Sequence, residues 1–183
     1  MKKVVLFIAV MLTVACKDNK VKKDIDEQIE HVSKKEINQD KDILKVQLEA
    51  RVLENDIFDI LYVSDSTEGT LNSNDRVGLN VKGSSNMQIL EFKLPPKKFP
   101  YKLRIDLGGN GIKNETNIEI NSINFLLNGK EVKIDSTLLN QYFKHNVYLN
   151  KTGNGFERRV FKEKYDPFIT ADSSLITKLR LEL

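Results

Sequence analysis

The chain has little of what small catalytic and metal sites are commonly built from. Its 183 residues include one cysteine, two histidines and no tryptophan. A single cysteine excludes an intramolecular disulfide, and a zinc site needs more cysteine and histidine ligands than are present. Neither charge dominates, because 29 Lys and Arg stand against 26 Asp and Glu, so no large basic field indicates nucleic-acid binding. Stability must come from an apolar core, for which the chain is long enough.

Motifs of the common enzyme classes are also absent from the sequence. It contains no G-x-S-x-G, no phosphate-binding G-x-x-x-x-G-K, no H-E-x-x-H and no EF-hand loop. The segment LGGNGIKN (107–114) would suit a backbone anion site or a flexible hairpin loop, and we favour the loop. We therefore predict a protein that is not an enzyme and that has no metal or cofactor.

The N-terminal residues have the pattern of an export signal. Two lysines precede an apolar run over residues 4–15, which is shorter than the roughly 20 residues that a membrane-spanning helix needs. A basic start and an apolar stretch of this length are typical of a secretory signal peptide; the alternative is a buried core helix. LTVAC (12–16) resembles the lipobox of bacterial lipoproteins, with Thr13 where leucine is commonest. The resemblance implies cleavage after residue 15 and attachment of lipid to Cys16, which would anchor the protein to a membrane.

Residues 16–42 are expected to form a charged tether between this anchor and a folded domain. More than half of residues 17–42 are Lys, Asp or Glu, and none is Pro, Gly or aromatic. Such a segment cannot bury much apolar surface, although its few apolar residues would fit one stripe of a helix. Lys17 and Asp18 resemble the export signal of Bacteroidetes-type lipoproteins, which implies a location at the outer membrane of the cell envelope.

From residue 43 the sequence alternates between apolar and polar residues, as in ILKVQLEARV (43–52). This period of two is typical of a strand with one buried face. The alternation slips within residues 118–127, which predicts a β-bulge near Asn121 and Ser122, and Asn128-Gly129 predicts a hairpin turn. Nine strands are predicted, over residues 44–52, 57–63, 77–81, 87–94, 101–107, 118–127, 131–134, 156–161 and 177–183.

These elements predict an all-β fold, an antiparallel β-sandwich over residues 43–183. One short helix is expected over residues 137–145, with Asp135 or Ser136 as its N-cap. Because the ends of compact domains often lie close together, the first and last strands are expected to be neighbours in one sheet.

Four segments carry a family resemblance. They are DIFDILYV (56–63), KLRIDLGGN (102–110), INSI (120–123) and YDPFI (165–169). They resemble parts of galactose-binding-like and carbohydrate-binding-module-like β-sandwich domains of bacterial envelope proteins. The resemblance implies a jelly-roll sandwich that binds sugar.

Seven polar or aromatic side chains are candidates for such a site. Asp59 interrupts an apolar strand face, so its carboxylate should contact either a ligand or a structural partner such as an arginine. Arg104 and Asp106 point to the same side of one strand, where they would either contact sugar hydroxyls or form a solvated face. The complete set of candidate ligand-binding residues is Asp56, Asp59, Tyr62, Arg104, Asp106, Tyr165 and Asp166.

The sequence thus favours a lipid-anchored binding module of the cell envelope, with carbohydrate as its ligand. The alternative is a structural or assembly lipoprotein that binds a protein partner. A cleft with exposed aromatic side chains would favour the first function, and an apolar patch or an open edge strand would favour the second.

Asp65-Ser66-Thr67 and Asp135-Ser136-Thr137 resemble acceptors of Bacteroidetes O-glycosylation, but turn formation and capping are the favoured interpretation.

Overall fold

The computed structural model describes residues 41–65, 69–71, 75–109 and 114–183. The predicted signal peptide, the lipid attachment at Cys16 and nearly all of the tether lie outside the described residues. The described part is an all-β sandwich of two antiparallel sheets, which confirms the predicted fold class. No helix within these ranges is long and apolar enough to cross a membrane.

Eleven strands and two short helices make up the described part of the chain. The strands are β1 (Lys45–Val52), β2 (Asp56–Val63), β3 (Arg76–Val81), β4 (Gln88–Lys93), β5 (Lys102–Asp106), β6 (Ile118–Leu127), β7 (Lys130–Asp135), β8 (Phe143–His145), β9 (Leu149–Thr152), β10 (Gly155–Arg158) and β11 (Phe168–Ala171). The helices are α1 (Leu139–Tyr142) and α2 (Ser173–Glu182). The first sheet has the order β4-β1-β6-β10-β9, with β7 also paired to β6, and the second has the order β3-β2-β5-β11-β8.

Strand β1 follows the predicted alternation along its whole length. Its apolar residues are all fully buried, namely Val46, Leu48, Ala50 and Val52. On the neighbouring strand β6, Ser122 pairs with Glu49 and Ile120 pairs with Ala50, so Asn121 is an extra residue with no partner in the ladder. The β-bulge predicted from the slip in the apolar pattern is therefore confirmed.

Asn128 and Gly129 form the predicted hairpin turn between β6 and β7. Their φ angles are 51° and 82°, the positive values that a type I′ turn requires at both central positions. Leu127 and Lys130 pair directly across the turn. The turn thereby fixes the register of β6 and β7.

The predicted last strand, over residues 177–183, is wrong, because this segment belongs to helix α2. The Asp172 carboxylate accepts a hydrogen bond from the backbone N–H of Ser174 and caps the helix. The helix buries Leu175, Ile176 and Leu179 against the core, a spacing that fits a helix and not a strand. The first and last elements are consequently not neighbours in a sheet, and β1 pairs with β4 and β6.

The helix predicted over residues 137–145 is much shorter than expected. Only Leu139–Tyr142 are helical, and Phe143–His145 form strand β8 beside β11. The Asp135 carboxylate accepts bonds from the backbone N–H and hydroxyl of Thr137, so it closes a turn and does not cap the helix. The short strands β8, β9 and β11 were not predicted, because three or four residues are too few to show an alternation.

Candidate functional site

Three of the predicted site residues meet on the outer face of the second sheet. Arg104 and Asp106 are two residues apart on β5, so their side chains leave the strand on the same side. The Arg104 guanidinium donates to both carboxylate oxygens of Asp106, through Nε and through Nη2, the latter at 3.1 Å. Its Nη2 also donates to Asp166 Oδ1 at 2.6 Å. We call these three residues the Arg104 cluster.

An aromatic ring completes the support of Arg104. Phe168 on β11 is the direct cross-strand partner of Asp106, so the two side chains share the outer face. The guanidinium carbon of Arg104 lies 3.6 Å from the centroid of the Phe168 ring, a stacked cation–π contact. Two carboxylates and one ring thus hold the arginine in a single position, and only 20% of its side chain is exposed.

Asp59 adds a further carboxylate beside the Arg104 cluster, on the neighbouring strand β2. It lies directly opposite Asp106 in the pairing of β2 with β5, and its Oδ1 is 3.6 Å from the Nε of Arg76. Gly78 leaves room for the carboxylate over β3, since a Cβ atom there would lie 2.7 Å from Asp59 Oδ1. Burial raises the pKa of Asp106 to about 6, and the neighbouring carboxylates of Asp166 and Asp59 act in the same direction, against the lowering effect of Arg104.

A groove of about 500 Å³ adjoins the Arg104 cluster. It is formed by the end of β8, the turn that follows, the first residues of β9, and single residues after β10 and at the start of β11. The Phe168 ring belongs to both features, because it lines the groove and stacks on Arg104. The lining residues are His145, Asn146, Val147, Tyr148, Leu149, Asn150, Arg159 and Phe168.

Hydrogen bonds fix the turn that forms one wall of the groove. The Asn146 amide donates to the backbone oxygen of Asp166 at 2.5 Å, and its Oδ1 accepts from the backbone N–H of Tyr148 at 3.2 Å. The Tyr148 ring packs edge-on against Phe161, with centroids 6.4 Å apart. The wall therefore presents aromatic surface and amide groups in fixed positions beside the Arg104 cluster.

The structure places the other predicted site residues away from this groove. Tyr62 faces the core between the sheets, and burial raises its pKa. The Tyr165 hydroxyl donates to the backbone oxygen of Asn114, and burial raises its pKa to about 12, so it remains a donor. Asp56 is enclosed in an ion pair with Arg158, in which neither side chain has exposed surface. These three residues do not contribute to the surface site.

Arg158 is a buried charged residue of the core that was not among the predicted site residues. It is the largest fully buried side chain of the described part. The sequence did hold a signal, because alternation in FERRVF (156–161) puts Arg158 on the same face as the buried Phe156. A buried guanidinium requires a carboxylate partner, and Asp56 supplies it.

Neither similarity to known proteins nor a cluster of metal-binding side chains assigns a function to the protein. No family model matches the chain, and no characterised protein or solved structure matches it. Among the described residues no three His, Cys, Asp or Glu side chains are grouped as a metal ion would need. The candidate site is thus defined by the Arg104 cluster and the groove alone.

Proposed function

We propose that the protein is a lipid-anchored module of the cell envelope that binds carbohydrate in the groove beside the Arg104 cluster. The anchor rests on the sequence, in which LTVAC (12–16) ends at the only cysteine of the chain. Two or three acyl chains on Cys16 would hold the protein at a membrane, whereas one chain binds only marginally. The charged residues after it would let the folded domain stand away from the lipid surface.

The observation that supports sugar binding is that Phe168 belongs to both the groove and the Arg104 cluster. Sugars are commonly held by an apolar surface against the ring and by polar groups at the hydroxyls. Here Tyr148 and Phe168 offer aromatic surface, and the amides of Asn146 and Asn150 lie in the same groove.

The test is a glycan array probed with the purified full-length protein in detergent. We expect at least one glycan to bind, and we expect Arg104→Ala and Tyr148→Ala to weaken it about tenfold or more, because each removes contacts worth about 1–3 kcal/mol. Arg51→Ala is the matched control, since Arg51 forms an exposed ion pair with Glu119 on the other sheet. Circular dichroism of each variant verifies folding.

Two results would contradict this function. If no glycan on the array binds, the protein is not a carbohydrate-binding module. If a glycan binds but the folded Arg104→Ala and Tyr148→Ala variants keep full affinity, the sugar binds elsewhere on the protein.

A specific observation also supports the alternative, a structural or assembly lipoprotein. Strand β4 is the terminal strand of the first sheet in the described part, and Ile89 on it is 56% exposed beside Met87 at 42%. An apolar edge strand is a surface on which a partner strand can pair. The test is retention of envelope proteins on the immobilised protein, which Ile89→Lys should abolish under this alternative while glycan binding stays unchanged.

A further inference from the structure

The lining of the groove carries one permanent charge, and it is positive. Arg159 is the only Lys or Arg among the lining residues, and none of them is Asp or Glu. The remaining polar groups of the lining are two amides, a phenol and an imidazole. A ligand in this groove therefore meets a cation with no opposite charge in the lining itself.

Arg159 is held in place by hydrogen bonds of its Nε and its backbone N–H. Its Nε donates to the backbone oxygen of Val147 at 2.9 Å, and its backbone N–H donates to the oxygen of Tyr148 at 3.0 Å. Its guanidinium carbon lies 6.0 Å from the centroid of the Phe161 ring. Neither Nη1 nor Nη2 has a hydrogen-bond partner among the described residues. The guanidinium is therefore held through Nε, and Nη1 and Nη2 keep four N–H donors without a partner in the described part of the chain.

Four carboxylate residues contact lining residues of the groove or their sequence neighbours, and each carboxylate is engaged with another group. Asp166 pairs with Arg104 at 2.6 Å, and Asp172 pairs with Lys144 at 2.8 Å. Glu157 accepts from the Asn150 amide, and Glu115 accepts from the backbone N–H of Val160. None of these four forms an ion pair with Arg159, so its charge has no direct carboxylate partner in the described part of the chain.

From these contacts we infer that the ligand of the groove is an acidic sugar, a glycan whose residues carry a carboxylate. The inference rests on the proposed carbohydrate-binding function and specifies its ligand class. The carboxylate accepts from the two free nitrogens of Arg159, because a guanidinium binds a carboxylate through two parallel hydrogen bonds. The sugar ring then lies against Tyr148 and Phe168, and its hydroxyls reach the amides of the lining.

The experiment compares acidic sugars with their uncharged esters. The probes are trisaccharides of galacturonic, glucuronic and mannuronic acid, each beside its methyl ester, titrated against the full-length protein in detergent. We expect at least one acid to bind about tenfold or more tightly than its ester, since hydrogen bonds to charged groups are the stronger ones. Arg159→Gln should abolish this preference, and Arg159→Lys should retain only part of it because lysine cannot bind the carboxylate through a planar fork.

Arg180→Gln is the matched control, because Arg180 stacks on Tyr101 at 3.8 Å and does not line the groove. It should leave the preference unchanged, and melting temperatures establish that each variant is folded. Esters that bind as well as the acids would overturn the acidic-sugar inference and leave the carbohydrate-binding proposal standing. A preference that survives in folded Arg159→Gln would also overturn it, because the carboxylate would then bind elsewhere. If no glycan of any kind binds, the carbohydrate-binding proposal itself fails.

Discussion

Replacing Arg158 by methionine should destabilise the protein more than any surface substitution. Arg158 lies on β10 in the first sheet, and its Nη1 donates to Asp56 on β2 and, at 2.9 Å, to the backbone oxygen of Leu107 after β5. Its Nε and Nη2 donate to the backbone oxygen and the hydroxyl of Thr116, each at 3.0 Å. One side chain therefore joins the two sheets and the segment before β6.

The expected cost follows from what Arg158→Met leaves behind. The Asp56 carboxylate has no exposed surface, so it would remain as a buried charge without its partner. Breaking a buried ion pair in this way typically costs about 3–5 kcal/mol, a large part of the roughly 5–15 kcal/mol that stabilises a domain. The pair is closely packed, because a Cβ atom added at Gly108 would lie 2.5 Å from Arg158 Nη1 and 3.0 Å from Asp56 Oδ2.

Equilibrium urea unfolding, followed by circular dichroism, measures this cost. Arg51→Met is the matched control, because the side chains of Arg51 and its partner Glu119 are 39% and 42% exposed and such pairs contribute less than about 1 kcal/mol. Adding Asp56→Leu to Arg158→Met removes the unpaired charge, so the double variant should be more stable than the sum of the single changes predicts by at least about 1 kcal/mol. If Arg158→Met costs no more than Arg51→Met, or if the two changes at this pair are additive, the buried pair does not stabilise the fold as described.

Three further predictions concern other parts of the chain. Asp106→Asn should remove a pH dependence of stability. Burial raises the pKa of Asp106 from its ordinary 3.8 to about 6 in the folded protein, so the wild-type unfolding free energy should fall by on the order of 2 kcal/mol as pH rises from about 4 to 6. Parallel pH curves for the two proteins would contradict this. Leu179→Ala should lower the free energy of unfolding in urea by about 2–5 kcal/mol because Leu179 is fully buried. Leu181→Ala on the same helix should lower it little because Leu181 is 79% exposed. Equal costs would show that α2 does not pack as described. Cys16→Ser should abolish labelling by a fatty-acid analogue in cells, and equal label on the variant would exclude Cys16 as the lipid attachment site.

The sheet could be predicted from sequence where each strand carries its own complete signal. Strand β1 alternates over eight residues, and the bulge at Asn121 appears in the sequence as a slip of the apolar pattern by one position. The turn at Asn128-Gly129 is equally local, because positive φ at two consecutive positions selects for these residues. Such features depend on neighbours within a few residues and not on the remainder of the fold.

The C-terminal helix shows where alternation of apolar residues predicts the wrong secondary structure. Leu179, Leu181 and Leu183 alternate as in a strand, but Leu175, Ile176 and Leu179 also fall on one side of a helix. The segment after Asp172 contains leucine, lysine, arginine and glutamate, which favour helices, and the Asp172 cap begins the helix. Alternation of three leucines over five residues is too short to outweigh a capped helix with a buried face.

Part of the candidate site could be predicted from local sequence, and the rest depends on strand pairing between distant segments. Alternation on β5 placed Arg104 and Asp106 on one face, as the structure confirms. Asp166 and the aromatic Phe168 join them only because β11 pairs with β5, a contact between segments about sixty residues apart in sequence. The groove also requires the turn after β8 and the residue after β10, so it has no sequence signature of its own.

Two arginines on outer sheet faces show how the pairing of β11 with β5 changes the surroundings of a residue. Arg51 on β1 and Arg104 on β5 stand in similar alternating sequences, and each pairs with a carboxylate. Arg51 remains exposed on its sheet, whereas Arg104 is covered by the Phe168 ring and held by two carboxylates. An immobilised arginine beside a groove loses little conformational entropy when a ligand binds, and an exposed arginine loses more. The pairing of β11 with β5 therefore fixes Arg104 beside a groove whose lining comes from both sheets.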